Sequence, residues 1–294
     1  MEPLFFLWAF ITAFAVFNIA FIIAQVKKDN SIVDSFWGLG FVIIAAVMLV
    51  VNIEATGSFP VEAVVVAILV GLWGLRLSLH IHTRNKGKGE DYRYVEMRKK
   101  WGDKPRLNAY FKVFMVQMLL QLIIALPIIV INMESILAED GSLWRTILYW
   151  LALLIWVIGY VFQVAGDAQL KSFKRMPSNR GRIMTSGLWR YTRHPNYFGE
   201  SAMWFGIGLF TVANTLWPAW FTIISPLLIT YLLLFVSGVP LLEKKFDEEK
   251  GEEWTLYKKK TSKFFPLPPR KDVIPSKSDD KFLNLDKDAI RKTK

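Results

Sequence analysis

Five stretches of the 294-residue chain contain no Asp, Glu, Lys or Arg and are dominated by apolar residues: 3–26, 35–53, 113–133, 146–166 and 201–242. Most of them match the roughly 20 residues that a helix needs to cross the hydrocarbon core of a bilayer. The last stretch is long enough to cross twice, and the segment 213–218, with Asn214 and Pro218, supplies a turn signal within it. This pattern predicts a helical integral membrane protein.

We predict an all-α fold, a membrane bundle of seven transmembrane helices. A weaker apolar stretch, which carries Glu62 near one end and Arg76 inside, provides the third of these helices. The predicted spans are residues 4–26, 36–53, 61–82, 110–132, 144–166, 196–214 and 217–240. Residues 1–269 would form one membrane domain, and the polar tail at 270–294, which mixes both signs of charge, is expected to be disordered.

Composition and charge then exclude some classes of protein and orient the chain. A hydrophobic content of 53% and a mean hydropathy of +0.31 exclude a soluble nucleic-acid-binding protein despite the net charge of +11. Nine Lys and Arg residues lie in 83–108 and seven in 167–195, whereas the alternate connections are acidic or neutral. By the positive-inside rule, these basic segments are cytoplasmic, the N-terminus is outside and the C-terminus is inside.

Polar residues on the third predicted helix form one candidate functional feature. Trp73, Arg76, His80 and Arg84 follow one another at steps of three or four, so they share a face near the cytoplasmic end. A satisfied buried histidine and an arginine that snorkels to the surface would explain His80 and Arg84 without any function. Arg76 lies too deep for that explanation, and ionisable groups inside spans usually mark function.

The fifth predicted helix repeats this pattern. Gln163, Asp167, Lys171 and Lys174 form a polar stripe that begins in the membrane and leaves it on the cytoplasmic side. A solvent-facing stripe would explain the two lysines alone. The amide and the acid, which border the membrane, indicate that this face binds a ligand or anchors a loop.

The segment 187–200 predicts the start of the sixth helix beside two cations. Pro195 suits the first helical turn, which places His194 at the cap. A helix N-terminus flanked by Arg190 and Arg193 favours an anion such as a phosphate.

About one turn deeper, the same helix presents an amide and a carboxylate. Asn196 and Glu200 are four residues apart and share a face, and Tyr197 lies beside them. Such a pair can hydrogen-bond an amide or a sugar. An ion pair between Glu200 and a loop arginine is the structural alternative.

Asp34 opens the second predicted helix on the same side of the membrane. It is either a capping acid or the one acid that this helix offers for chemistry inside the bundle. The chain has no cysteine and only three histidines, so we expect neither thiolate chemistry nor a metal site.

Three segments carry a resemblance to a known family. Arg-His-Pro-Asn-Tyr-Phe-Gly-Glu at 193–200, preceded by Gly-Leu-Trp-Arg-Tyr at 187–191, is similar to the C-terminal signature of the DUF1295 membrane proteins. These are bacterial proteins related to steroid 5-alpha-reductases. Segments 31–41 and 87–94 resemble other parts of the same group, and the likeness covers about residues 30–267.

The resemblance implies a seven-helix reductase that holds NADPH between the cytoplasmic parts of its later helices. It further implies a location in the bacterial inner membrane, with the active site open to the cytoplasm. Asn196 and Glu200 would hold the nicotinamide end. The other positions that match the cofactor-side pattern of the family are Lys88, Gln163, Asp167, Lys174, Tyr191 and Tyr257.

Our first hypothesis is therefore an NADPH-dependent reductase of an activated C=C bond, such as an enone, in a steroid-like or other lipid substrate. Asp34 takes the place of a substrate-side Glu of the steroid reductases, while Trp73 or Gly74 stands where their substrate-side Tyr would fall. His80 and Tyr92 are further candidate proton donors.

Two other functions are compatible with the residues. The His-Pro-x-Tyr-x-Gly element at 194–199 also resembles membrane methyltransferases that modify isoprenylcysteine carboxyl groups with S-adenosylmethionine. A protein that binds lipid without catalysis is the third possibility. The basic segments favour a multiply phosphorylated cofactor and hence the reductase.

Overall fold

The computed structural model describes residues 2–133, 142–215 and 219–270 of the chain. Across these ranges the protein is helical without a β-strand, which confirms the predicted all-α class; the one β-type pairing is an isolated bridge between Thr192 and Ser262. The α-helices are α1 (Glu2–Lys27), α2 (Ile32–Thr56), α3 (Val61–Asn85), α4 (Tyr92–Lys100), α5 (Pro105–Ala109), α6 (Val116–Ile124), α7 (Leu126–Met133), α8 (Leu143–Arg175), α9 (Pro195–Asn214), α10 (Ile224–Tyr231), α11 (Val239–Glu249) and α12 (Gly251–Lys260).

Six helical stretches within the described residues are long and apolar enough to cross a bilayer, which confirms the membrane character of the chain. They are Leu4–Lys27, Ile32–Thr56, Val61–Asn85, Pro105–Ile124, Leu143–Arg175 and Ala219–Glu249. The sixth predicted span is a helix, α9, but it is not one of these six. Asn196, Glu200 and Ser201 make its first half polar.

The apolar stretches are less regular than the sequence pattern predicts. The fourth predicted span, residues 110–132, begins with a π-helical turn at Tyr110–Met115, continues through α6 and breaks at Ala125 before α7; α5 lies directly before it. Pro127 explains the break because proline has no N–H to donate within a helix. In the opposite sense, α8 extends to Arg175, nine residues past the predicted end of the fifth span at 166.

Some predictions lie outside the described residues. These are the acidic connection that contains Glu134, Glu139 and Asp140, the last three residues of the turn signal at 216–218, and the polar tail beyond Arg270. They remain predictions.

Contacts within the chain divide it into two compact units. The first comprises Met1–Leu153 with Phe205–Leu228, and the second comprises Leu154–Trp204 with Ile229–Lys294. Each unit contains a cluster of polar side chains with candidate chemistry, and these two clusters are described separately below.

Glycines set the closest helix packing in the first unit. A Cβ atom added to Gly38 of α2 would lie 2.5 Å from the carbonyl oxygen of Gly74 in α3, and one added to Gly74 would lie 2.6 Å from the carbonyl oxygen of Gly38. Small residues allow helix backbones to approach in this way inside membranes. This contact, one helical turn after Asp34, fixes the position of α2 against α3.

Candidate functional site

The second unit builds its polar cluster on a close crossing of α8 and α9. A Cβ atom on Gly159 would lie 2.6 Å from the carbonyl oxygen of Gly199, and one on Gly199 would lie 2.6 Å from the backbone nitrogen of Gln163. Because neither glycine has room for a side chain, the two helices touch through their backbones. Residues near these glycines on the two helices therefore lie close to one another.

Four of these residues form what we call the amide–carboxylate cluster: Gln163, Asp167, Asn196 and Glu200. Gln163 Nε2 donates to Glu200 Oε2 at 3.3 Å, and Asn196 Nδ2 donates to Asp167 Oδ1 at 3.1 Å. Gln163 is 2% exposed and Glu200 is 8% exposed, whereas Asp167 and Asn196 are half-buried. The sequence had predicted these residue types on two separate helix faces, and the structure brings them together.

The cluster has the chemistry of a hydrogen-bonding ligand site. Carboxylate oxygens accept hydrogen bonds, and side-chain amides both donate and accept them. A ligand group with both functions, such as a carboxamide or a sugar hydroxyl, finds complementary partners here. The burial of Glu200 strengthens such hydrogen bonds because the surroundings screen them less than water does.

The loop that leads into α9 is held by a second set of polar contacts. Helix α9 begins at Pro195, as predicted, with His194 directly before it. Arg193 donates from Nε and Nη2 to Glu243 Oε1 at 2.9 and 2.8 Å, and His194 Nε2 lies 3.1 Å from the same oxygen. Arg193 Nη1 also donates to the carbonyl oxygens of Lys258 and Thr261, at 3.1 and 2.8 Å.

These contacts give Arg193 and His194 an internal role. Both side chains are buried, and the guanidinium donors of Arg193 are directed to protein acceptors instead of an open phosphate site. Burial lowers the pKa of His194, although the neighbouring Glu243 carboxylate partly offsets this effect. The imidazole is consequently neutral near pH 7 and stacks on the ring of Tyr197, with the ring centroids 5.5 Å apart.

Residues 254–270, which we call the C-terminal clasp, bind the same loop through its backbone. The Tyr257 hydroxyl donates to the carbonyl oxygen of Trp189 at 2.5 Å, and the Thr192 hydroxyl donates to that of Phe264 at 2.7 Å. Leu267 N donates to the carbonyl oxygen of Tyr191 at 3.0 Å. Tyr257 thus supports the loop from beneath, and burial raises its pKa.

The remaining predicted cofactor residues are more open. Lys88, Lys174, Arg190 and Tyr191 are exposed, and Tyr197 is half-buried. Arg190 and Lys174 belong to the same unit as the amide–carboxylate cluster, and a phosphate-bearing ligand there would find its cations among such exposed side chains.

The first unit contains what we call the acid–phenol cluster: Asp34, Asp91, Arg93 and Tyr94. The Tyr94 hydroxyl donates to Asp34 Oδ1 at 2.6 Å, and Arg93 Nη2 donates to Asp34 Oδ2 at 2.7 Å. Arg93 Nε also donates to Asp91 Oδ1 at 2.9 Å. Asp34 is therefore more than a helix cap, since it joins the start of α2 to α4.

The electrostatics of α4 follow from these contacts. Burial raises the pKa of the Tyr94 phenol well above its usual value, and the adjacent Asp34 carboxylate raises it further. Burial would raise the pKa of Asp91 as well, but hydrogen bonds from Arg93 outweigh it and leave that pKa lowered. Tyr94 therefore keeps its proton at neutral pH.

Sequence reasoning selected a different tyrosine on α4. Tyr92, the predicted donor, is 53% exposed, whereas Tyr94 is 4% exposed and contacts Asp34. His80 is half-buried on α3. Asp91 caps α4 by accepting from Arg93 N at 3.0 Å, which marks where the helix begins but does not show that Tyr94 faces inward.

Comparison with known proteins places the chain in a family without an assigned activity. Residues 20–261 match the model of the family described as "Protein of unknown function (DUF1295)", so the chain is a member of that family. It is also similar to an uncharacterized protein of the fission yeast Schizosaccharomyces pombe, with 27% identity over 227 residues. That match covers 69% of this chain and 62% of the yeast protein. No solved structure matches the chain.

Proposed function

We propose that this DUF1295 protein is a membrane-embedded, NADPH-dependent reductase of the steroid 5-alpha-reductase-like type, acting on an activated C=C bond of a steroid-like or other lipid substrate. The observation that carries the proposal is the buried contact of Gln163 with Glu200. A carboxylate and amides at the end of apolar helices are costly to place there without a polar ligand or partner.

The residues of the amide–carboxylate cluster fit the nicotinamide end of the cofactor. A carboxamide presents an NH2 group and a carbonyl oxygen. The Glu200 carboxylate can accept from the NH2 group, and the side-chain amides of Asn196 and Gln163 can donate to the carbonyl oxygen. The exposed Arg190 and Lys174 are the candidates for the phosphates, with Tyr191 beside them in sequence. Bound NADPH would supply a hydride from C4 of the nicotinamide.

Arg193, His194 and Tyr257 then position the site instead of touching the ligand. Their contacts with Glu243, with the clasp carbonyls and with Trp189 fix the loop before α9, and Asn196 follows only two residues later. A preorganised loop lowers the ordering cost of binding.

Reduction of an enone also requires a proton, and Tyr94 is the donor that we favour. Its phenol is protonated at neutral pH, and its hydrogen bond to Asp34 fixes the hydroxyl. In the reaction, the hydroxyl would turn from Asp34 to the substrate oxygen, stabilise the negative charge that develops there and transfer its proton. Asp34 would orient the phenol, and His80 and Tyr92 remain the alternative donors.

The proposal includes the topology given by the sequence. Helix α9 would be the seventh span, with the N-terminus outside and the basic connections in the cytoplasm. For a bacterial member, this puts the protein in the inner membrane with the cofactor site open to the cytoplasm.

A binding experiment separates this function from the two alternatives. The purified full-length protein would be titrated in detergent with NADPH and, separately, with S-adenosylmethionine, while its thermal unfolding is recorded. Stabilisation by NADPH alone supports a reductase. Stabilisation by S-adenosylmethionine alone supports the methyltransferase, and stabilisation by neither supports lipid binding without cofactor chemistry.

A further inference from the structure

The segment 92–112, which runs from α4 to the start of the next apolar stretch, has more cations than its own contacts use. Three of its seven Lys and Arg residues form ion pairs. These are Arg93 with Asp34 at 2.7 Å, Arg98 with Glu90 at 2.6 Å and Lys99 with Glu96 at 2.8 Å.

The other four cations face outward. Lys100, Lys104, Arg106 and Lys112 are exposed, and none has an ion-pair partner in the part of the chain that the structure describes. Asp103 is the one further acid within the segment. The surface therefore retains a net positive charge that the described residues do not neutralise.

Large apolar side chains are exposed among these cations. Leu107 and Phe111 are 54% and 57% exposed, and they lie four residues apart on one face. Lys104 precedes Leu107 by one turn and continues that face. Water disfavours the apolar pair and hydrocarbon disfavours the charges, so this combination suits the headgroup level of a membrane.

Contacts on the inner side of α4 hold the segment beside the ends of α1 and α2. Glu90 accepts from the backbone nitrogen of Asn30 at 2.8 Å, in the α1–α2 connection, and also from Arg98. The Tyr94 contact with Asp34 secures the other side of α4. Helix α4 is thus fixed where two apolar helices end, which is where a bilayer surface lies.

We propose that Lys100, Lys104, Arg106 and Lys112 form a binding surface for anionic phospholipids, whose phosphates contact the cations while their acyl chains lie along Leu107 and Phe111. This inference is independent of the proposed reductase activity.

Native mass spectrometry of the full-length protein tests the proposal. The protein would be incubated with equal amounts of phosphatidylglycerol and phosphatidylcholine that have matched acyl chains, and the ratio of the two bound lipids would be measured. A cation near an anionic surface contributes about 1 kcal/mol, which is about fivefold in affinity. We expect the wild type to enrich phosphatidylglycerol and the triple variant Lys100→Gln, Lys104→Gln, Arg106→Gln to lose at least about fivefold of that enrichment.

A charge-matched control separates this surface from general electrostatics. The variant Lys244→Gln, Lys259→Gln, Lys260→Gln removes the same charge elsewhere and should retain the wild-type lipid ratio. Equal ratios in both triple variants would overturn the proposal. So would full displacement of phosphatidylglycerol by millimolar inorganic phosphate, which would indicate a site for soluble phosphate. Should the first triple variant fail to fold, Lys104→Gln alone, with an expected loss of about threefold to fivefold, gives the same comparison.

Discussion

The acid–phenol cluster and the amide–carboxylate cluster both place carboxylates near the ends of apolar helices, but their partners differ. In the first, Asp34 contacts a guanidinium and a phenol at 2.7 and 2.6 Å. In the second, Glu200 contacts the Gln163 amide at 3.3 Å, and Asp167 contacts the Asn196 amide at 3.1 Å. The first set of hydrogen bonds is shorter and includes an ion pair, whereas the donors of the second set are neutral amides.

This difference indicates that the two clusters have different roles. Short contacts with a cation hold α2 and α4 together, so substitutions in the acid–phenol cluster should mainly lower the free energy of unfolding. The amides and carboxylates of the second cluster are groups of the kind that hydrogen-bond the amides and hydroxyls of a ligand. Four predictions follow this distinction, from the largest expected effect to the smallest.

Arg93→Ala should give the largest loss of stability. It removes the cation from two carboxylates, and uncompensated carboxylates in partly buried surroundings cost about 2–3 kcal/mol of unfolding free energy. The free energy of unfolding, measured for the wild type and the variant in mixed micelles, gives this loss. Arg84→Ala, at an exposed arginine on α3, should cost under about 0.5 kcal/mol. Equal losses in the two variants would contradict a structural role for the acid–phenol cluster.

Glu200→Gln should affect ligand binding more than stability. The loss of a charged acceptor weakens a hydrogen bond by about 2 kcal/mol, so NADPH affinity should fall about thirtyfold in a fluorescence titration. Asp34→Asn, at the other cluster, should leave that affinity unchanged. If the Glu200→Gln protein binds NADPH with the wild-type affinity, the amide–carboxylate cluster is not the cofactor site.

Tyr94→Phe should cost about 1–2 kcal/mol of stability, because Asp34 loses one hydrogen bond while Arg93 remains. Tyr92→Phe is the matched control on the same helix and should have an effect near zero. If an enone substrate is found, Tyr94→Phe should also slow its reduction at least about a hundredfold without a change in NADPH affinity. Equal rates for the two tyrosine variants would exclude Tyr94 as the proton donor.

The smallest expected effect concerns pH. The pKa of His194 is lowered from its ordinary value of 6.5 in the folded protein, mainly by burial. Below about pH 6.5 the unfolded chain binds a proton that the folded protein resists, so stability falls as the pH drops from 7 towards 5. His194→Gln should reduce this loss of unfolding free energy between pH 7 and pH 5, followed in thermal unfolding scans, by under about 1 kcal/mol. An unchanged loss of stability between pH 7 and pH 5 would show that other groups cause it.

The sequence predicted much of the helical framework because charge-free runs of about 20 residues are a strong local signal. It missed the break at Ala125, although Pro127 is visible in the predicted span. The predicted fifth span ends at residue 166, but the polar stripe that continues to Lys174 predicts a longer helix, and α8 indeed extends to Arg175. The pattern of hydropathy marks the edge of the membrane, and a helix can continue past that edge.

The candidate site was harder to predict because its geometry depends on contacts between distant residues. Gln163 and Glu200 were each identified from sequence, but their contact follows from the Gly159–Gly199 crossing, and no local pattern shows which glycines meet. Tyr94 was missed for the same reason. The inward side of α4 is decided by Asp34, which lies 60 residues earlier.

The C-terminal clasp has a consequence for synthesis of the chain. The loop before α9 obtains partners from Thr261, Ser262, Phe264 and Leu267, about 70 residues later in translation. A nascent chain that stops after α11 already contains all six of the described stretches that are able to cross the membrane, yet it offers no acceptor at Thr261 for Arg193 and no cover for Thr192. The contacts that hold the loop before α9 therefore form only after these apolar stretches have been synthesised, when translation has almost reached Arg270.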